Sequence, residues 1–254
     1  MDSSGFISVI ELFHLLFLAQ FSRRVDKGAF VVKGGCNLRF FHRSIRYSED
    51  MDLDIGEIDL HVLRDRIRGV FDSRPFSQIL EARGISLEHV TEAKQTGTTQ
   101  RWKFGLRIEG SETPIPTKIE FSNRGLDEGV EFGSIDAEVT RFHQLPPLML
   151  SHYCAATAFR QKRGALAGRR EIQARDVFDL YHLIAIGAGA GAIDEAGRRI
   201  ARQASANALT IDFATFKSQV LAYLHPDEQA RYDSASVWET IVREVVEALG
   251  GGGA

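Results

Sequence analysis

Apolar residues recur at helical spacing through the first twenty positions. Ile7, Ile10, Leu15 and Leu18 form one stripe, and Phe and Leu fill most of the rest. The pattern predicts a largely buried opening helix ending near Arg23 and Arg24. Phe30-Val31-Val32 is a short apolar run stopped by Gly34-Gly35, which reads as a strand entering a tight turn, with a short helix expected over 37–41. From Met51 to Ile55 apolar and acidic residues alternate, the period-2 mark of a half-buried strand. Residues 61–80 read as an amphipathic helix pair interrupted at Pro75, and strands are expected over 101–108 and 118–121. Pro146-Pro147 stops regular structure. Beyond it the chain is alanine-rich and helical in period as far as Leu249. No internal repeat is present. The expected division is a mixed α/β domain over 1–143, a helical domain over 144–249 and a flexible tail over 250–254.

Composition acts mainly by exclusion. With 254 residues, 44% hydrophobic and 26% charged, the chain can bury a real core, which sets aside disorder and fibrous architectures. A net charge of −3 means that any nucleic-acid contact must rest on a local basic patch. Cys36 and Cys154 stand far apart with no CxxC pair, which argues against a zinc site and a disulfide framework. The histidines are scattered without ligand spacing, and Cys36 reads as a small space-filler. The apolar stretch over 6–21 contains Glu11 and His14 and is shorter than the ~20 residues of a membrane span. Nothing basic precedes it, so a cytoplasmic protein without a membrane anchor is expected.

The chemistry concentrates in Ser48-Glu49-Asp50-Met51-Asp52-Leu53-Asp54. On a strand, Asp50, Asp52 and Asp54 point to one face. Aligned carboxylates repel, and a hard divalent cation such as Mg²⁺ relieves that repulsion. An EF-hand does not fit, because Ile55 and His61 fall where that loop needs Gly and Glu. A solvated acidic edge strand is the plain alternative. The Gly34-Gly35 turn just upstream favours function, since glycines let backbone N–H groups approach a phosphate and a following helix adds its positive end. Seven Lys or Arg stand between positions 23 and 46 against Asp26 alone, and six between 160 and 175 against Glu171. Charge runs are usually solvated faces. Two of them flanking a nucleotide site would form a positive rim for triphosphate and an RNA backbone. Gly187-Ala188-Gly189-Ala190-Gly191 lacks dinucleotide-fingerprint spacing and reads as a flexible link between helices.

Val32-Lys33-Gly34-Gly35, Leu38-Arg39 and Arg46-Tyr47-Ser48-Glu49-Asp50-Met51-Asp52 together resemble the first motif of the AbiEii/AbiGii toxin family. That family includes the MenT-type toxins and belongs to the DNA polymerase β-like nucleotidyltransferase superfamily. Lys118-Ile119-Glu120 resembles its third-carboxylate strand. The segment Lys162 to Arg169 resembles its Glu-Lys-x-x-Ala-Leu-x-x-Arg helix, with Gln161 replacing the usual Glu. Arg175 to Tyr181 is similar to its Arg-Asp-x-x-Asp-Leu-Tyr motif.

The resemblance implies a nucleotidyltransferase mixed-sheet domain followed by a helical bundle. It implies Asp50, Asp52 and Glu120 as ligands of Mg²⁺ or Mn²⁺, with Lys162 and Asp176 also catalytic. Lys33, Gly34, Gly35, Arg39, Arg46, Ser48 and Arg169 would hold the nucleotide and its phosphates. The plain reading of Asp176 and Asp179 is pairing with nearby arginines, and that of Lys162 is a surface lysine. The implied reaction moves a nucleoside monophosphate from a nucleoside triphosphate to an RNA acceptor, first the tRNA 3′ end. The implied setting is toxin–antitoxin or abortive-infection phage defence with a separately encoded antitoxin. Transfer to a protein side chain and a catalytically silent nucleotide-binding regulator are the alternatives.

Overall fold

The computed structural model describes residues 3–189 and 194–250. These divide into two compact units, 1–43 with 47–153, and 44–46 with 154–254. Among the described residues no helix is long and apolar enough to cross a membrane.

The first unit is built on a seven-stranded sheet in the order β3-β4-β5-β2-β1-β7-β6. Its strands are β1 (Phe30–Lys33), β2 (Met51–Ile55), β3 (Ile85–Gln95), β4 (Thr99–Ile108), β5 (Ile115–Ser122), β6 (Val130–Ser134) and β7 (Met149–Tyr153). Pairing is mixed: β1 with β2 is antiparallel, while β2 with β5 and β1 with β7 are parallel. The helices are α1 (Ser3–Phe21), α2 (Gly34–Phe41), α3 (Leu60–Phe71), α4 (Arg74–Glu81) and α5 (Ala137–Phe142). Pro75 starts α4, where its missing N–H costs nothing.

Alternation decides what each sheet face carries. Phe30 and Val32 of β1, Met51, Leu53 and Ile55 of β2, Ile119 and Phe121 of β5, and Trp102, Phe104 and Leu106 of β4 join one buried cluster with α1. Phe13 and Phe17 of that helix meet Phe104 and Phe71 with ring centroids 5.1 and 5.2 Å apart, aromatic packing that adds to simple area burial. The residues between these, including Asp52, Asp54, Lys118, Glu120, Arg101 and Lys103, take the other face. Glu11 is buried on α1, where Arg39 and His143 hold its carboxylate.

His14 is fully buried against Thr117 Oγ1 (3.0 Å) and the Cys36 thiol. Burial pushes its imidazole down from 6.5 to about 3. The unfolded chain takes up a proton near pH 6.5 and the folded unit does not. Stability is therefore complete above pH 6.5 and falls by about 1.4 kcal/mol per pH unit until the folded imidazole protonates near 3. His152, also buried and pushed the same way by burial, adds with the same sign. Between pH 7.5 and 5.5 wild-type stability in urea should drop by about 1.3 kcal/mol more than that of a His14→Gln variant. Equal pH dependence in the two would remove His14 from this account.

Three strands depart from the expected pattern. β3 is exposed along most of its length and β6 is an exposed edge, so neither shows apolar alternation. β7 lies beyond Pro147, where only helices were expected. Ser151 and His152 interrupt its apolar pattern, yet it is buried beside β1. Helices therefore dominate only from Ala155.

The second unit contains α6 (Ala155–Gly168), α7 (Ala174–Ala185), α8 (Glu195–Ala208), α9 (Phe213–Gln219), a 3₁₀ turn (Leu221–Tyr223), α10 (Pro226–Tyr232) and α11 (Ala235–Gly250). Its core joins Leu166, Phe178, Leu180, Phe216 and Trp238, with Phe216 stacked on Trp238 at 4.5 Å. Asp194 and Asp212 cap α8 and α9 by accepting from Gly197 N and Thr215 N. After α7, Gly189 adopts φ +97° against the Phe159 ring, where a Cβ would come within 2.8 Å. Ala190 and Gly191 of the expected link lie outside the described residues, as do residues 251–254 of the expected tail. Gly250 closes α11.

Candidate active site

Strand register builds one row of charge across the sheet face opposite the phenylalanine cluster. Arg101 on β4 is the partner of Glu120 on β5, Glu120 is the partner of Asp52 on β2, and Asp52 is the partner of Lys33 on β1. Cations thus stand at both ends of the row and two carboxylates between them. Arg101 Nε donates to Glu120 at 2.6 Å. Lys33 turns away from its register partner to Asp54 Oδ1 at 2.5 Å, and the Tyr153 hydroxyl donates to the other Asp54 oxygen at 2.9 Å. Asp54 is therefore a buried, satisfied member of the triplet. Asp50 carries the Lys118 ammonium. Burial pushes the Asp50 carboxyl up, and Lys118 pulls against that.

Asp52 differs from the other acids. Among the described residues nothing donates to its half-buried carboxylate. It lies against the start of α2, where Gly34 has φ +67° and a Cβ would sit 3.1 Å from Asp52 Oδ2. Only glycine adopts that conformation cheaply, and its bare Cα leaves room between turn and carboxylate. The helix opens at Gly34 itself, earlier than expected, so Gly34 and Gly35 present first-turn N–H groups. Ser48 Oγ donates to the Asp50 carbonyl at 2.7 Å and shapes the approach to β2. Cys36 is buried with its thiol pushed up, chiefly by burial and then by Asp52, which fits a space-filler.

Two arginines expected at phosphates are seated elsewhere. Arg39 Nε donates to Glu11 at 2.6 Å and its guanidinium covers the Tyr47 ring. Arg46 forks onto both oxygens of Asp179 at 2.9 Å, with 3% of its side chain exposed. In each the Nε and Nη2 edge is taken by a carboxylate, which gives both arginines a part in holding the fold. The expected positive rim is correspondingly depleted, because Lys33, Lys162 and Arg169 also face carboxylates.

In the helical unit, Lys162 bridges Asp176 at 3.2 Å and Asp179 at 2.6 Å, while Arg169 donates to Asp176 at 2.7 Å. Both aspartates are fully buried. Burial alone would push Asp179 up, but Arg46 and Lys162 outweigh it and hold the carboxyl well below the usual range. Asp176 thus pairs with a nearby arginine, whereas Asp179 is met by the sequence-distant Arg46 and by Lys162, which is a buried member of the cluster rather than a surface lysine.

Among the described residues no three His, Cys, Asp or Glu side chains are gathered to hold a metal ion. Asp50, Asp52 and Glu120 share one patch, but two of them are turned to lysine and arginine. The donor chemistry nevertheless suits Mg²⁺, which binds through one or two carboxylates completed by substrate phosphates. Sequence reading missed Lys118, Arg101 and Tyr153, the partners of the acids. Lys118 was within reach, because it stands two residues before Glu120 and so shares its face.

No curated protein matches the chain. Among solved structures, JHP933 from Helicobacter pylori aligns with a TM-score of 0.56 at 16% identity, covering 95% of this chain and 92% of that one. A candidate nucleotidyltransferase of H. pylori aligns with the same score and identity over 94% and 95%. At such identity the likeness speaks for the fold, a mixed sheet with accompanying helices. The family model described as nucleotidyl transferase AbiEii toxin, Type IV TA system, matches residues 16–247 and so takes in both the acidic strand and the Lys162–Asp176 cluster. The chain belongs to the AbiEii nucleotidyltransferase toxins of Type IV toxin–antitoxin systems.

Proposed function

We propose that this toxin transfers a nucleoside monophosphate from a nucleoside triphosphate to a hydroxyl of an RNA acceptor, the tRNA 3′ end being the first to test. Asp52 carries this reading. It is a half-buried carboxylate with no donor among the described residues, next to Glu120 in the sheet and against the Gly34 turn. Such a carboxylate is costly unless a cation reaches it. Asp50 and Asp52 would hold Mg²⁺ or Mn²⁺, with Glu120 as a further donor once released from Arg101. When bound, the ion would supply positive charge at the triphosphate and would lower the pKa of the attacking hydroxyl.

The Gly34 and Gly35 N–H groups would receive phosphate oxygens at the start of α2. Transfer forms the bond from the acceptor oxygen to the α-phosphorus and breaks the α–β phosphoanhydride. Pyrophosphate leaves, and the hydroxyl proton passes to Glu120 and then to water. Arg169, whose side chain is 41% exposed, is the outward cation of the helical cluster. Asp176 holds it in place and is itself held by Lys162. Modified tRNA would block translation, and the toxin–antitoxin family implies a cognate antitoxin.

The test incubates the protein with Mg²⁺, total tRNA and each α-³²P-labelled nucleoside triphosphate in turn, beside an Asp50→Ala/Asp52→Ala variant. Label on tRNA is expected with the wild type alone. Label on protein, or on nothing, overturns the RNA reading.

A further inference from the structure

The charged sheet face extends from Asp50 into a cavity of about 340 Å³, lined among others by Lys118, Lys103, Thr91, His89 and Gly105. The volume is within the range of small-ligand sites. One row along from Arg101 and Glu120, Lys103 on β4 and Lys118 on β5 are direct register partners on neighbouring antiparallel strands. Like charges placed opposite each other on one face destabilise a sheet. Asp50 compensates Lys118. Lys103 is exposed and has no carboxylate partner among the described residues, and Glu49, which also lines the cavity, makes no ion pair with it.

The neighbours of Lys103 suit an extended polyanion. Thr91 is its partner on β3 and brings a hydroxyl to its side, and His89 is the partner of Gly105. A Cβ on Gly105 would lie 3.1 Å from Pro114 Cβ and 3.3 Å from His89 Cδ2, so glycine leaves room for both rings. Glycine inside a strand weakens it and marks a place where another group comes close. A lysine ammonium binds phosphate as a point charge, and an imidazole face can stack on an unpaired base.

We infer that this cavity receives the single-stranded end of the acceptor RNA, with Lys103 on a backbone phosphate beside the reacting nucleotide. The inference rests on the RNA-acceptor reading above. It places the acceptor on the β3–β4–β5 side of Asp50, while the Gly34 turn serves the triphosphate.

The test measures steady-state labelling of total tRNA at several salt concentrations. Lys103→Gln is expected to raise KM for tRNA roughly five- to tenfold at low salt, the loss of one charge-assisted phosphate contact. KM for the nucleoside triphosphate and kcat should stay within about twofold of wild type. The salt slope should fall by about 0.7 to 0.9, one phosphate's share. Lys103→Arg should restore tRNA binding, and Arg243→Gln, exposed on α11, should change nothing. Unchanged tRNA KM and salt slope in Lys103→Gln, with a wild type that labels tRNA, overturn this inference alone. A wild type that labels no tRNA overturns the RNA reading and this inference with it.

Discussion

Replacing Asp52 by asparagine is expected to reduce nucleotidyl transfer by roughly 10³-fold or more while the protein stays folded. Asp52 makes no ion pair or hydrogen bond from its carboxylate among the described residues, so the change breaks nothing that holds the sheet. The amide keeps the side-chain volume beside Gly34 and removes one of several neighbouring negative charges. Stability should therefore hold or rise slightly while activity is lost, the opposite signs expected where a site is kept for function at the expense of stability. Asp54→Asn is the natural contrast. That carboxylate is bound by Lys33 and the Tyr153 hydroxyl, so its loss should register as lower stability. Single-turnover labelling and urea unfolding of both variants check the pair. Asp52→Asn with activity within tenfold of wild type would sink the assignment.

Removing the Asp179 carboxylate is expected to cost the helical unit about 3–5 kcal/mol, the usual penalty for breaking a buried ion pair. Arg46 and Lys162, with 3% and 11% of their side chains exposed, would both lose a partner in a place that water barely reaches. Lys162 keeps Asp176, so the heavier loss falls on Arg46. The pH dependence follows from the depressed carboxyl. This contribution is fully present above the ordinary aspartate range and disappears as pH falls below it, when the unfolded chain is protonated and the folded cluster is not. Asp179→Ala should thus unfold at markedly lower urea at pH 7 and lose less on acidification than wild type. A deficit under about 1 kcal/mol would mean that water reaches the cluster and screens it.

The sequence by itself determined the opening helix, β1, β2 and the glycine turn between the two strands. In each, local pattern and burial agree: apolar runs, strict alternation, and a glycine, Gly34, where the backbone needs positive φ. The same alternation put Asp50, Asp52 and Asp54 on one face. It could not say that Asp54 is satisfied by Lys33 and Tyr153 while Asp52 is left without a donor, because those partners arrive from β1 and β7. Strands β3, β6 and β7 were illegible for a related reason. A strand exposed on an edge, or buried through parallel pairing with a polar pair in its middle, carries no period-2 signal of its own. The arginines show the limit most sharply. Arg39 and Arg46 sit in motifs that imply phosphate, and only the folded chain reveals Glu11 and Asp179 as the anions that take them. Sequence fixes which groups carry charge. Which opposite charge each one meets depends on contacts between residues 28 to 133 positions apart, and in a low-dielectric interior that meeting decides whether a side chain binds a substrate or holds the fold.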